Sequence, residues 1–231
     1  MISGLISGIM GGTYIMRFVL CCAICFLLAA GGIARSRRAS DGVQPGDFDY
    51  YMLSLSWAPD FCARTDVHTD ARECGPDRRL GFVVHGLWPQ FENGAHPSQC
   101  APARPVGRDI VERTLALIPG EGLIQHEWRD HGTCSGLSPA AYFDTVKRAY
   151  ETIVIPPEFR QPASHVELSP QQIEEKFAAA NPRFKDSLRV ACGGGQLSEV
   201  RVCMGKDLGP HVCSSHDVEC PADRIGMLPV R

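Results

Sequence analysis

Between Phe48 and Trp57 the chain is aromatic and aliphatic, and Leu53, Leu55 and Trp57 recur at period two until Ala58-Pro59 interrupts them. That alternation predicts a β-strand with one face in a core. Leu80 to His85 is a second apolar run, too short for its period to be read. Residues 60–79 between the two runs are polar and flanked by cysteines, and read as a stapled loop. Glu92 to Gly107, rich in proline and glycine, reads as a long connection. A helical spacing then takes over. Val111, Leu115 and Ile118 precede the Pro119-Gly120 stop, and a second helix is expected over Leu123 to His131. Ser138-Pro139 supplies an N-cap and a first-turn proline ahead of Tyr142, Phe143, Val146 and Tyr150. Ser169-Pro170-Gln171-Gln172 is a capping-box start for Ile173, Phe177 and Ala180, stopped by Asn181-Pro182. Residues 188–192 and 197–204 read as two late strands around Gly193 to Gly195. Strands at both ends with helices between them predict an α+β domain.

Composition changes this picture at the N-terminus. Phe18 to Ala30 is an almost unbroken apolar run of 13 residues, preceded by Arg17 and followed by small residues and the basic stretch Arg35 to Arg38. It is short for a bilayer span and reads as the core of a secretory signal, with cleavage after Ala30 or Ala34. Residues 1–34 are therefore expected to be a signal region, 35–47 a flexible leader and 48–231 the folded domain. Of 11 cysteines, Cys21, Cys22 and Cys25 fall inside the signal. The other eight form an even set without any CxxC pair, which in an exported domain predicts disulfides rather than a cysteine zinc site. A periplasmic or secreted location follows, with no stable membrane association once the signal is removed.

Charge excludes one class of function. The chain sums to −3, but its first 39 residues hold four arginines and no acid. The remainder carries 19 lysines and arginines against 26 acids, so it is no broadly basic nucleic-acid binder of the kind that neutralises many phosphates. An anionic substrate would have to meet a small local patch.

Two segments offer one. The first is HGLWPQ, residues 85–90, and the second HEWRDHGTC, residues 126–134. At about 100° per residue, Glu127, Asp130 and His131 lie about 100°, 40° and 140° from His126, on one arc of the helix. Trp128 and Arg129 point elsewhere on this count, Trp128 as a core anchor. The histidines at i and i+5 depart from HExxH, although a zinc site of His85, His126 and His131 is geometrically open. Paired histidines also suit proton transfer, in which one removes a proton from a hydroxyl while another protonates a leaving oxygen. RNA carries its own 2'-hydroxyl nucleophile, so such a site needs neither metal nor protein nucleophile.

HGLWPQ and HEWRDHGTC resemble the two active-site segments of the T2 family of acid ribonucleases, over roughly Phe48 to Cys220 and most closely its bacterial exported members. The resemblance implies an α+β domain with a central antiparallel sheet and flanking helices. It implies His85 as general acid on the departing 5'-oxygen, His131 as general base on the 2'-hydroxyl, His126 as phosphate ligand and Glu127 as stabiliser of the transition state. Trp88 becomes part of a base-binding wall, alongside its plainer use as strand-end packing. His68, His96, His165, His211 and His216 match no catalytic position and read as loop or surface residues.

The same resemblance implies the pairs Cys62–Cys74, Cys100–Cys134, Cys192–Cys220 and Cys203–Cys213. It further implies a monomer acting on single-stranded RNA and not on DNA, without cofactor or metal. One residue departs from the family pattern: Asp130 stands where a lysine usually precedes the last histidine. It either tunes and orients a neighbouring imidazole or marks a weakened catalyst.

Overall fold

The computed structural model describes residues 42–64, 71–217 and 220–230. The expected signal region 1–34, the leader as far as residue 41, and His68 lie outside them. Strand β1 (Tyr50–Trp57) is the axis of the molecule, paired antiparallel to β2 (Phe82–Gln90) on one side and β5 (Gln196–Met204) on the other. Its alternation is the expected one. Tyr51, Leu53, Leu55 and Trp57 enter the main core, while Tyr50 and Met52 join Cys203 and Cys213 in a small cluster on the other face. That second face continues as Ser54 and Ser56, opposite Arg201 and Glu199 of β5.

The domain is α+β, and its sheet is mixed rather than purely antiparallel. Six described strands run β2-β1-β5-β6-β3, with β4 (Leu188–Gly193) also on β5. Strands β3 (Val166–Leu168) and β6 (Ile225–Met227) pair antiparallel, but β6 meets β5 in parallel through Gln196 and Gly226. These two strands have three residues each, too few for a period to appear in the sequence.

Six described helices cover the core face. The segment read as a loop over 60–79 contains α1 (Ala58–Arg64) and α2 (Ala71–Cys74), joined by the Cys62–Cys74 disulfide. Both are short, so their polar sequence carried no helical stripe. Helix α3 spans Arg108–Thr114 and α4 Glu121–Asp130. Helix α5 (Pro139–Glu151) starts on the Ser138 cap, whose hydroxyl accepts from Ala141 N–H at 3.3 Å. Helix α6 (Pro170–Ala180) starts on the Ser169–Gln172 capping box. Tyr142, Phe143 and Val146 of α5 and Ile173 and Phe177 of α6 supply the apolar layer over the sheet. Tyr142 also donates its hydroxyl to Leu87 O at 2.9 Å, tying α5 to β2.

Disulfides Cys100–Cys134, Cys192–Cys220 and Cys203–Cys213 complete the framework, so all four pairs coincide with those implied by the resemblance. The described end of the leader lies against the domain: Gly46 N–H donates to Cys134 O at 2.8 Å, and Lys206 Nζ to Gly46 O at 3.1 Å. No described helix is long and apolar enough to cross a membrane.

Candidate active site

Strand β2 does not stop at His85, as its apolar run suggested, but continues through the whole HGLWPQ segment. Leu87 to Gln90 pair with Tyr50 to Leu53, and β2 is an edge strand, where Pro89 costs no ladder bond. Between Ser54 and Leu55 the register slips: Ser54 faces Gly86 and Leu55 faces Val84. His85 is the extra residue of this bulge. A bulge breaks the strict alternation of sides and re-aims a side chain. Val84 and Leu87 thereby stay in the core while His85, Gly86 and Trp88 serve the site.

Glu127 reaches that site from α4. Ile124, Glu127 and Trp128 form the buried stripe of the helix, so a carboxylate occupies a position that spacing alone would give to an apolar residue. Its Oε2 accepts the Trp88 indole N–H at 2.8 Å, and Oε1 is buried without a hydrogen-bond partner, 3.8 Å from His85 Nε2. Gly86 makes room for this meeting. A Cβ there would lie 1.9 Å from Glu127 Oε2 and 2.4 Å from Trp88 Nε1. Gly132, in the second segment, likewise sits against Trp128, at 2.4 Å from where its Cβ would be.

The electrostatics separate the groups. Burial pushes the Glu127 carboxyl up to about 7, against the pull of His85 and the Trp88 hydrogen bond. Burial alone would make His85 less basic, yet its hydrogen bond and charge contact with Glu199, joined by Glu127, hold it above the ordinary histidine value. His131, the residue that ends α4, is pushed down to about 3, by burial first and then by the charge of His126. Its Nδ1 is buried without a partner. The imidazoles of His126 and His131 meet edge to face at 6.1 Å, and Trp88 stands 5.4 Å from His131 and 5.1 Å from His85.

Asp130 points back along the helix, towards His126. Its Oδ1 accepts from Arg129 Nε at 2.7 Å and from Gln99 Nε2 at 3.1 Å, and its Oδ2 lies 3.2 Å from His126 Nδ1. Burial opposes its charge, but these partners hold its carboxyl below the usual range. Gln99 also donates its backbone N–H to Asp130 O at 3.0 Å while its own backbone is left-handed, at φ 55°. Asp130 therefore moors the long loop, beside the Cys100–Cys134 bond.

Arg129 does not point elsewhere, as the angular count had it. Its Nη2 donates to His126 Nδ1 at 2.8 Å. The two residues are three apart, hence helix neighbours, and a guanidinium on a long stem reaches the i−3 ring. Since one nitrogen cannot accept and donate together, Arg129 and Asp130 compete for His126 Nδ1: the arginine suits the neutral ring, the aspartate the charged one.

Glu199 and Arg201 escaped the sequence reading. Glu199 is a buried carboxylate whose Oε1 lies 2.7 Å from His85 Nδ1, and whose Oε2 receives Arg201 Nε and Nη2 at 2.8 and 2.7 Å. Despite burial, which opposes the charge, the His85 hydrogen bond and Arg201 hold it down to about 2. The Arg201 guanidinium also lies over the Trp88 ring, 5.5 Å from its centre. An acid and a base at i and i+2 of the late strand read over 197–204, and so on one face of it, were the signal that could have found them. His96, read as a loop residue, is near enough for its charge to act on His131, and His211 stacks on Tyr50 and pairs with Glu92 at 2.8 Å.

Among the described residues, the donor atoms of His126, Glu127 and His131 lie within 4.8 Å of one another and could hold a metal ion, a set that replaces the His85-containing one considered from sequence. Cys203, Cys213 and Asp217 also cluster, but the two sulfurs are joined in a disulfide.

The model of the Ribonuclease T2 family matches residues 48–213. The chain belongs to the ribonuclease T2 family. Among curated relatives, a ribonuclease of Aeromonas hydrophila is 45% identical over 95 residues, 41% of this chain and 41% of that protein. A probable ribonuclease of Haemophilus influenzae is 32% identical over 184 residues, 72% of this chain and 61% of that protein. The chain thus spans less than two thirds of either relative. Among solved structures, an RNase-related protein from Calystegia sepium superposes with a TM-score of 0.65 at 20% identity, over 80% of this chain and 98% of that one. RNase NT in complex with 5'-AMP gives 0.57 at 23% identity, over 79% and 99%. These likenesses establish the T2 fold.

Proposed function

We propose that this T2-family protein is an exported, metal-independent endoribonuclease, cleaving single-stranded RNA by 2'-hydroxyl transphosphorylation through 2',3'-cyclic phosphates to 3'-phosphate ends. The observation that carries the reading is the opposite tuning of two histidines on either side of Glu127. Burial and then His126 push the His131 imidazole down to about 3, while Glu199, 2.7 Å from His85 Nδ1, raises His85 above the ordinary histidine value against the effect of burial. The first is fit to accept a proton, the second to give one.

In the first step His131 takes the 2'-hydroxyl proton, the 2'-oxygen bonds to phosphorus, and the bond to the 5'-oxygen breaks as His85 protonates it. In the second step water bonds to phosphorus as His85 takes its proton, and the bond to the 2'-oxygen breaks as His131 returns a proton to it, leaving a 3'-phosphate. His126, with Arg129 behind it, binds the phosphate. Glu127, kept largely protonated below about pH 7, donates a hydrogen bond to the oxygen on which charge grows. Trp88 is half-buried beside His131 and offers a stacking edge to a base while its indole N–H fixes Glu127. DNA, lacking the 2'-hydroxyl, is not cleaved. The working form is a periplasmic or secreted monomer, with no membrane association after the signal is removed.

A second reading, a metal-dependent hydrolase, is favoured by the His126–Glu127–His131 cluster. RNA digestion in excess EDTA, with the product ends mapped, separates the two. Cyclic-phosphate and 3'-phosphate ends at undiminished rate are expected; loss of cleavage in chelator, restored by zinc, would overturn the first reading.

A further inference from the structure

His85 stands on β2 and His131 at the end of α4, yet the 2.7 Å contact to His85 comes from another strand, β5. Strands β2 and β5 flank β1, so Glu199 and His85 stand on opposite sides of the central strand, on strands about 9.5 Å apart. Between them on this face β1 presents Ser54 and Ser56, small side chains that leave the carboxylate free to cross above them. The bulge brings His85 towards it. A carboxylate can only accept, so the 2.7 Å contact puts a proton on His85 Nδ1. Arg201 holds the other carboxylate oxygen with two N–H groups, which stops the carboxylate from turning.

We propose that Glu199, clamped by Arg201, is a positioning residue for His85, fixing the ring so that Nε2 faces Glu127 and the cleft with its proton ready for the leaving oxygen. The proposal rests on the reading of His85 as general acid. Glu199 touches no substrate and acts through the imidazole, as a base is oriented by a third group in other acid–base sites. The charged groups that face His85 are Glu199 and Arg201 on β5, Glu127 on α4, Glu73 on α2, and His131 at the end of α4. Only Glu199 is within hydrogen-bond distance of a ring nitrogen among the contacts His85 makes with them, Glu127 being at 3.8 Å. The carboxylate therefore sets both the direction of the ring and most of the preference for its charged form.

The test compares wild type, E199Q, R201Q, H85A and H85A/E199Q on two substrates, a dinucleoside phosphate and a nucleoside 3'-aryl phosphate whose leaving group needs little protonation. E199Q is expected to lower kcat/KM on the dinucleoside phosphate by about 10 to 100 fold, mainly through kcat, and to change the aryl substrate far less. Its alkaline limb should move to lower pH. R201Q removes the cation that shares the carboxylate, so its limb should move the opposite way, to higher pH; it also serves if E199Q proves unstable. H85A/E199Q should be no slower than H85A, because both changes act through one ring. Equal losses on the two substrates for E199Q, additive losses in the double variant, or limbs that do not move in opposite directions would each overturn the proposal. The His85 assignment is judged separately. If H85A alone loses equally on both substrates, that assignment fails, and an NMR titration of the His85 ring in E199Q then decides whether Glu199 governs it: a lowered titration supports the link, an unchanged one overturns it.

Discussion

Gly86 is the residue whose replacement follows most directly from geometry. In G86A the new methyl would sit 1.9 Å from Glu127 Oε2, 2.4 Å from Trp88 Nε1 and 2.7 Å from Glu127 Cδ. Real Cβ contacts lie beyond 3.0 Å, so the carboxylate must retreat by about 1 Å or more. Glu127 is fully buried and lies in the packed stripe of α4, so it has no exposed rotamer to escape into. The retreat breaks its 2.8 Å bond from Trp88, a loss of about 0.5 to 1.5 kcal/mol for a hydrogen bond to a neutral carboxyl. Overpacking adds about 1 to 3 kcal/mol. For activity, a misplacement near 1 Å costs on the order of 100-fold. The assay is initial-rate kinetics on one dinucleoside phosphate, with urea unfolding on the same preparations. kcat is expected to fall about 100-fold with KM changed little, and the unfolding free energy by about 1.5 to 4.5 kcal/mol. If G86A kept kcat/KM within twofold of wild type, the claim that Glu127 must stand where the glycine leaves room would be refuted.

Other outcomes follow from the same site. The pH profile of kcat/KM should be bell-shaped with its maximum on the acid side of neutrality: His131 is neutral above about 3, while His85 loses its proton only above its ordinary value and Glu127 near 7, so activity falls as pH rises through the last two. A maximum above about pH 9 would contradict this. D130K sets an ammonium against Arg129 and His126 and unties Gln99, so kcat/KM should drop about 10-fold or more and D130N should fall between it and wild type; a gain for D130K at every pH would show Asp130 to be a handicap. Removing Cys100–Cys134, a closure over 34 residues, should cost about 4 kcal/mol by chain entropy in chemical denaturation under oxidising conditions, and a loss below about 1 kcal/mol would contradict it.

Periodicity and caps are local properties, and they were legible. The alternation of Leu53, Leu55 and Trp57, the Ser138 cap and the Ser169–Gln172 box each depend on neighbours a few residues away, and each stands in the structure where the residues put it. The two histidine segments were legible for the same reason, since each is contiguous. Short elements were not: α1, α2, β3 and β6 have too few residues to display a period, and they exist because a disulfide or a paired strand holds them. Nor could a linear reading find the extension of β2 to Gln90, because pairing with Tyr50 to Leu53 draws HGLWPQ into the sheet and leaves His85 in the bulge. Arg129 was misplaced because its position at about 300° is only about 60° from His126 around the helix axis, closer than Glu127 at about 100°. Glu199 and Arg201 lie 114 and 116 residues after His85, and their i and i+2 spacing shows that they share a strand face but not what that face meets. The contact between Glu199 and His85 needs three strands side by side, two small serines on the middle one and one extra residue in the edge strand. Sequence proposes the reactive groups; the sheet register decides which of them touch, because a one-residue slip turns a side chain to the other face.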